Sequence, residues 1–123
     1  MPKTPDISDA EWKVMKVLWA GSPRSAAEVV AALEETETWH PNTVKTLLAR
    51  LRDKKAVGIT RHRNLYRYHP LVSEEACVQA ETKSFLDRVF DGSVKPLLVH
   101  FAERKKLSPT DLDELKRILE DRH

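Results

Sequence analysis

Basic side chains are concentrated in one segment of this sequence, where they could bind a polyanion. Residues 41–69 hold eight basic side chains and one acidic side chain, Asp53, which gives the segment a net charge of +7, whereas the whole chain of 123 residues carries only +2. Such a local excess is typical of a nucleic-acid-binding surface, although composition alone is equally consistent with a charged face that contacts only solvent. The basic residues are Lys45, Arg50, Arg52, Lys54, Lys55, Arg61, Arg63 and Arg67.

The third predicted helix presents the polar part of this segment on one face. It opens at Trp39-His40-Pro41, where proline is favourable because the first helical N–H has no partner and His40 is interpreted as a helix cap or a phosphate neighbour. Its apolar stripe is Val44, Leu47, Leu48 and Leu51. Small hydroxyl and amide side chains followed by cations suit a helix that enters the DNA major groove and reads base edges. The predicted contacts to bases or nearby phosphates are Asn42, Thr43, Lys45, Thr46 and Arg50.

A short β-hairpin is predicted directly after this helix. Val57 and Ile59 alternate with smaller or polar residues, and residues 65–69 are rich in strand-forming side chains. The two runs are joined by the polar pair Arg63-Asn64. A basic hairpin in this position can lie along the DNA backbone, where its contacts position a protein without reading sequence. The residues predicted to hold the backbone are Arg61, Arg63, Asn64 and Arg67.

Two earlier helices must position the third helix and the hairpin. Ser8 and Glu11 form a capping box at the start of the first helix, and Ser25 and Glu28 repeat it at the start of the second. Gly21 is a natural stop between them. Three helices followed by a basic hairpin are typical of a winged helix-turn-helix domain, which we place at residues 1–71.

Residues 72–123 are predicted to form three further helices that need a partner. About 50 residues are near the lower limit for a free-standing core, yet this segment is rich in large apolar side chains. A symmetric homodimer would bury them. The fold class is therefore mainly α with a small β-hairpin wing, a winged helix-turn-helix domain followed by a three-helix dimerisation domain. The predicted interface residues are Phe85, Val89, Leu97, Leu98, Phe101, Leu112, Leu115, Ile118 and Leu119.

Composition argues against several other classes of protein. No apolar run approaches the roughly 18 residues that a membrane span needs, and the N-terminus lacks a signal-peptide pattern, so we expect a cytoplasmic protein without membrane insertion. A single cysteine, Cys77, allows no intrachain disulfide and no cysteine-based zinc site. The sequence has no catalytic triad order, metal-spaced carboxylate pair or glycine-rich phosphate loop. We therefore expect no enzyme activity, no metal and no cofactor.

Several strings resemble the penicillinase-repressor family (BlaI/MecI type) of bacterial transcriptional repressors. They are Ile7–Met15, Val17–Trp19, Trp39–Leu51, Tyr66–Pro70 and Leu97–Phe101, and together they extend the resemblance over essentially the whole chain. The resemblance implies an N-terminal winged-helix DNA-binding domain, a C-terminal dimerisation domain and repression by a homodimer bound to a double-stranded operator. In the best-known members, a sensor-linked protease system responds to β-lactams and the repressor is cut in the dimerisation domain.

Three positions depart from the family pattern. The family cut falls at an Asn-Phe pair, and the corresponding pair here is His100-Phe101. Lys55 stands where the family usually has glycine after the third helix, so either Gly58 takes the turn or Lys55 adopts a strained conformation. The paired C-terminal cysteines of related copper-responsive repressors have no counterpart, which disfavours copper sensing.

The sequence therefore predicts a homodimeric, sequence-specific DNA-binding repressor. The resemblance further implies a β-lactamase-type or related operon and relief by proteolysis in the dimerisation domain. His100-Phe101 is the candidate cleavage pair, and the alternative for Phe101 is a place in the apolar dimer interface. Two alternatives stay open at this point. One is a winged-helix regulator that responds to a small molecule, and the other is an adaptor that uses the winged helix to bind proteins. Salt-independent binding to a protein partner without DNA affinity would favour the adaptor.

Overall fold

The computed structural model describes residues 4–120, apart from the side chain of Leu119. These residues form six α-helices and a three-stranded antiparallel sheet, as the predicted fold class requires. The chain divides into two compact units, one through Ala80 and one from Glu81. The sequence places its domain boundary after Leu71, nine residues earlier.

The first three helices begin where local sequence signals predict. Helix α1 spans Asp9–Ala20, α2 spans Ala26–Leu33 and α3 spans Pro41–Asp53. Both capping boxes are present: the hydroxyls of Ser8 and Ser25 each accept a backbone N–H, and the carboxylates of Glu11 and Glu28 accept the N–H of the serine in return. These reciprocal bonds satisfy N–H groups that would otherwise lack partners at a helix start.

The predicted hairpin is present, and a third strand extends it. Strand β1 is Arg24–Ser25, β2 is Val57–His62 and β3 is Leu65–Pro70, in the sheet order β1-β3-β2. Arg63 and Asn64 at the hairpin tip have φ angles of 49° and 67°, and two positive φ angles in a two-residue loop are typical of a type I′ turn, which matches strand twist. Strand β1 is not predicted by the sequence, because two residues between helices are too short to show a period.

Lys55, and not Gly58, makes the turn between α3 and β2. Lys55 has φ 63°, in the left-handed region that glycine adopts most easily, whereas Gly58 does not have a positive φ. Gly58 has a different constraint: a Cβ placed there would lie 2.7 Å from Nε2 of His69. Lys55 therefore makes the turn in a left-handed conformation, and Gly58 allows close cross-strand packing.

The core of the first unit joins α1, α2, α3 and the start of β2. The apolar stripe predicted for α3 is buried, and it packs with Met15 and Leu18 of α1 and Val29 of α2. Trp12 and Trp19 pack against this core, with ring centroids 5.6 Å apart. Cys77 is also buried in it. The stripe thus fixes which face of α3 is turned outward.

The remaining helices are α4 at Glu74–Val89, α5 at Val94–Glu103 and α6 at Pro109–Glu120. The hydroxyl of Ser73 accepts the N–H of Ala76 at 3.1 Å at the start of α4. After α4, Asp91 and Gly92 have φ angles of 53° and 82° and end the helix. Among residues 4–120, no helix is long and apolar enough to cross a membrane.

Candidate nucleic-acid interface

The outer face of α3 is a continuous polar surface. Because the apolar stripe lies in the core, the side chains predicted to contact DNA are turned away from it. All of the candidates on this helix are exposed: Asn42, Thr43, Lys45, Thr46 and Arg50. The structure thus brings them together on one accessible helix face, with the hydroxyl and amide groups toward the N-terminus.

Two hydrogen bonds order the first turns of this face. Nδ1 of His40 accepts the backbone N–H of Asn42 at 3.0 Å, so His40 is the helix cap. Oγ1 of Thr46 donates to the carbonyl of Asn42 at 2.9 Å. The Thr46 hydroxyl therefore has only acceptor capacity left for a ligand, together with its methyl group.

The wing formed by β2, β3 and their turn carries the second group of candidates. Arg61, Arg63 and Asn64 are exposed. Nη2 of Arg61 donates to Oδ1 of Asn64 at 2.6 Å, and its guanidinium lies 5.8 Å from the centroid of the Tyr66 ring. Arg61 and Asn64, both predicted to contact the DNA backbone, therefore bind each other at the wing tip. Arg63 lies beside them in the turn.

Arg67 has surroundings that the sequence does not reveal. It is half-buried and lies opposite Ser25 in the pairing of β1 with β3. The pKa of Glu28 is lowered from its ordinary value mainly by the backbone and side-chain hydrogen bonds of Ser25, with a further contribution from the charges of Arg67 and Arg24. Arg67 therefore sits near the capping box of α2, since the unpredicted strand β1 brings the two together.

The sequence also does not predict an ion pair at the C-terminal end of α3. Nζ of Lys54, at the C-terminal cap of α3, donates to Oε1 of Glu11 at 2.5 Å and to the carbonyl of Asp6 at 2.7 Å. Glu11 is only 1% exposed, and its Oε2 has no hydrogen-bond partner in the described part of the chain. Burial by itself would raise the pKa of Glu11, but the hydrogen bonds from Lys54 and Ser8 outweigh it and hold this pKa below its ordinary value.

The predicted interface residues of the second unit remain largely exposed in the single chain. Val89, Leu112 and Ile118 are about half exposed, and Phe85, Leu98 and Phe101 are exposed by more than a third. Leu97 and Leu115 are half-buried, whereas the side chain of Leu119 lies outside the described part. Leu98, Leu112 and Leu115 line an apolar groove of about 360 Å³ between α5 and α6.

The candidate cleavage pair lies inside a helix. His100 and Phe101 are in α5, both are exposed, and their ring centroids are 5.9 Å apart. A protease would need to unwind this turn of α5 to reach the bond between them, because the helix occupies the backbone groups that a bound peptide must offer.

Comparison with known proteins finds repressors that are similar to nearly the whole chain. The penicillinase repressor family model matches residues 7–121. The penicillinase repressor of Bacillus licheniformis is 37% identical over 121 residues, which cover 98% of this chain and 94% of the relative. The methicillin resistance regulatory protein MecI of Staphylococcus aureus (strain N315) is 32% identical over 117 residues, covering 95% of each chain.

Two solved structures resemble about three fifths of this chain. The solution structure of the DNA-binding domain of the repressor BlaI has a TM-score of 0.54 at 42% identity and covers 60% of this chain and 90% of that one. The solution structure of monomeric Bacillus licheniformis BlaI with the blaP half-operator has a TM-score of 0.54 at 41% identity, covering 61% and 92%. Because the family match spans nearly the whole chain, this protein belongs to the penicillinase repressor family of winged-helix, DNA-binding transcriptional repressors.

Proposed function

We propose that this chain is a transcriptional repressor that binds a double-stranded DNA operator through its first unit. The observation that carries the proposal is the two-sided character of α3: one face is locked into the core, and the other presents exposed hydroxyl, amide and basic groups beside a basic wing. A relative that is 41% identical over 61% of this chain was solved with half of an operator. The likeness supports the same mode of binding here.

The two parts of the interface have different roles in this proposal. Helix α3 enters the major groove, where Asn42, Thr43, Lys45 and Thr46 face base edges and Arg50 lies near phosphate or base. The wing follows the DNA backbone, and Arg63 and Arg67 contribute charge there without reading sequence. Arg61 and Asn64 contribute as a linked pair that shapes the wing tip, since they hydrogen-bond to each other.

A second copy of the chain is the partner that we propose for the second unit. Its large apolar side chains are more exposed than a small isolated unit tolerates, and the groove between α5 and α6 is lined almost entirely by apolar atoms. A two-fold dimer would bury the same patch on both copies and present two winged helices to a pseudo-palindromic site. Sedimentation equilibrium should give a dimer for the wild type and a monomer for Leu98→Glu.

Relief of repression is proposed to follow cleavage between His100 and Phe101 by a protease linked to a β-lactam sensor. The cut would remove α6 and the end of α5 from the dimerising unit, which lowers DNA affinity because two half-sites are then no longer held together. The corresponding operon would be of the β-lactamase type or a related one. Intact-mass measurement on cells exposed to a β-lactam should find a fragment that ends at His100, and persistence of the full-length chain would contradict this step.

The DNA-binding role of the first unit is tested by fluorescence anisotropy with labelled duplexes over a range of salt concentrations. Arg63→Ala should weaken binding to all sequences alike and reduce the slope of log affinity against log salt by about one. Arg117→Ala removes the same charge from an exposed position on α6 and serves as the matched control with an unchanged slope. Equal slopes for the wild type and both variants would contradict the proposed wing contact, and no DNA affinity at any salt would contradict the function.

A further inference from the structure

An ion pair between buried Glu11 and exposed Lys54 connects the start of α1 to the end of α3. Oε1 of Glu11 accepts hydrogen bonds from Nζ of Lys54 at 2.5 Å and from the backbone N–H of Ser8 at 2.8 Å. The lysine reaches further to the carbonyl of Asp6 at 2.7 Å. The two charged residues are 43 positions apart in the chain, so the pair constrains how two separate helices meet.

Lys54 stands at the junction between the two DNA-facing elements. It is the C-terminal cap of α3, it is followed by Lys55 in the left-handed conformation, and the wing strand begins at Val57. Ala56 and Val57 are buried in the core. The junction is therefore held by the core on one side and by the Glu11–Lys54 pair on the other.

The capping box of α2 shows that this pair does more than cap a helix. Ser25 and Glu28 make the same reciprocal hydrogen bonds as Ser8 and Glu11, yet Glu28 is exposed whereas Glu11 is buried with a lysine against it. The buried Oε2 of Glu11 without a described partner costs stability. The charge on Glu11 contributes to stability through Oε1, and because Lys54 belongs to another helix, the same contact constrains how α1 and α3 meet.

We infer that Glu11 and Lys54 are positioning residues that hold α3 and the wing at the angle needed to read DNA sequence. The inference rests on the proposed DNA-binding function. Hydrogen bonds to base edges weaken steeply with small errors in distance and angle, whereas phosphate contacts depend mainly on charge. Loosening the junction therefore reduces binding to the preferred sequence more than binding to other DNA.

The test compares two duplexes: one enriched by the wild type from a random pool, and one with the same bases shuffled. Glu11→Gln keeps the shape and acceptor oxygen of the capping box but removes the charge that pairs with Lys54. The ratio of the two affinities should fall about tenfold, the effect of losing roughly one base contact. Affinity for the shuffled duplex should stay equal or rise, since the variant is one unit more positive.

Matched variants show whether a loss of sequence preference comes from the lost positioning contact, from the change in net charge or from the altered capping box. Glu28→Gln makes the same substitution in the other capping box with the same change in net charge, and its affinity ratio should stay within about twofold of the wild type. Lys54→Met should lower the ratio as Glu11→Gln does, and Lys54→Arg, which keeps the charge and the donors, should restore it. The double variant Glu11→Gln/Lys54→Met should lose no more than either single variant, because the two residues act through one contact.

All affinities are measured at a temperature well below the unfolding midpoint of each variant, which urea titration determines. If Glu11→Gln and Glu28→Gln have equal ratios of affinity for the two duplexes, and Glu11→Gln changes only the unfolding midpoint, the positioning role is wrong. The proposed DNA-binding function would then still stand. A wild type that enriches no sequence from the pool would overturn the proposed function and this inference together.

Discussion

The indole N–H of Trp19 donates to the backbone carbonyl of Val72 at 3.0 Å. Val72 lies between the end of the wing and the start of α4, so this bond ties the segment that leaves the wing to α1. Nζ of Lys16, also on α1, lies 2.6 Å from Oε2 of Glu74 in the first turn of α4. Helix α1 therefore holds both ends of the wing: its exit through Trp19 and its entry through the contact of Glu11 with Lys54.

The Trp19 bond should be measurable as stability. Trp19→Phe keeps an aromatic ring in the half-buried site but removes the donor, and it should lower the free energy of unfolding by about 1–2 kcal/mol. Trp39→Phe is the control, because Trp39 packs against the same core and its indole makes no hydrogen bond among the described residues. Urea unfolding followed by circular dichroism measures both. A loss for Trp39→Phe equal to that for Trp19→Phe would contradict a role for the hydrogen bond.

The left-handed conformation of Lys55 predicts a gain in stability on substitution by glycine. Lys55→Gly removes the clash between Cβ and the backbone, whereas Lys55→Ala removes the charge and keeps the clash. The glycine variant should be more stable than the alanine variant by about 1 kcal/mol. Thermal unfolding of the two variants checks the difference, and an alanine variant as stable as the glycine variant would argue against a strained Lys55.

The pH dependence of stability should report the buried carboxylate. The pKa of Glu11 lies below its ordinary value of 4.5 in the folded state, so the unfolded chain binds more protons in acid. The stability contributed by this group is therefore complete above pH 4.5 and is lost as the pH falls through the folded pKa.

The comparison is between the wild type and Glu11→Gln, with urea unfolding measured from about pH 7 down to about pH 3. The free energy of unfolding should fall more over this range for the wild type than for the variant. The difference in unfolding free energy between the two proteins should therefore become smaller in acid. A gap that stays constant or widens as the pH falls would contradict the lowered pKa of Glu11.

Thr46 should affect selectivity through its methyl group. Its hydroxyl hydrogen is engaged by the carbonyl of Asn42, and a threonine methyl can contact the methyl of thymine in the major groove. Thr46→Val keeps the methyl and should retain the preferred sequence, whereas Thr46→Ser loses it and should relax preference at one base position. Selection from random duplexes with each variant measures the preference at each position. The opposite pattern would show that the Thr46 oxygen, as an acceptor, reads the base.

Sequence signals that lie close together in the chain predict this fold well. The two capping boxes depend on residues three positions apart, and the hairpin on alternation within a few residues of Arg63-Asn64. The outer face of α3 follows from its apolar stripe. Each of these features is fixed by local geometry, and the structure confirms the elements that they predict.

Features that depend on distant residues escape such reasoning. The Glu11–Lys54 pair joins positions 43 apart. Nothing in the sequence distinguishes Lys54 from the basic residues around it, so the sequence does not predict this contact. Strand β1 forms because its two residues pair with the edge of β3. This pairing places Arg67 near Glu28. Burial of Cys77 with the first core likewise associates the start of α4 with the first unit. These relationships arise only when the helices have packed.

The measurement that tests the central claim most directly is a selection from random duplex DNA, read by sequencing, at two salt concentrations. A sequence-specific dimeric repressor should enrich a pseudo-palindrome whose half-sites are about one helical turn, or a multiple of it, apart. The same motif should emerge at both salt concentrations, with weaker overall recovery at the higher one. Salt-dependent recovery without any enriched motif, or no recovery at either salt concentration, would contradict the claim.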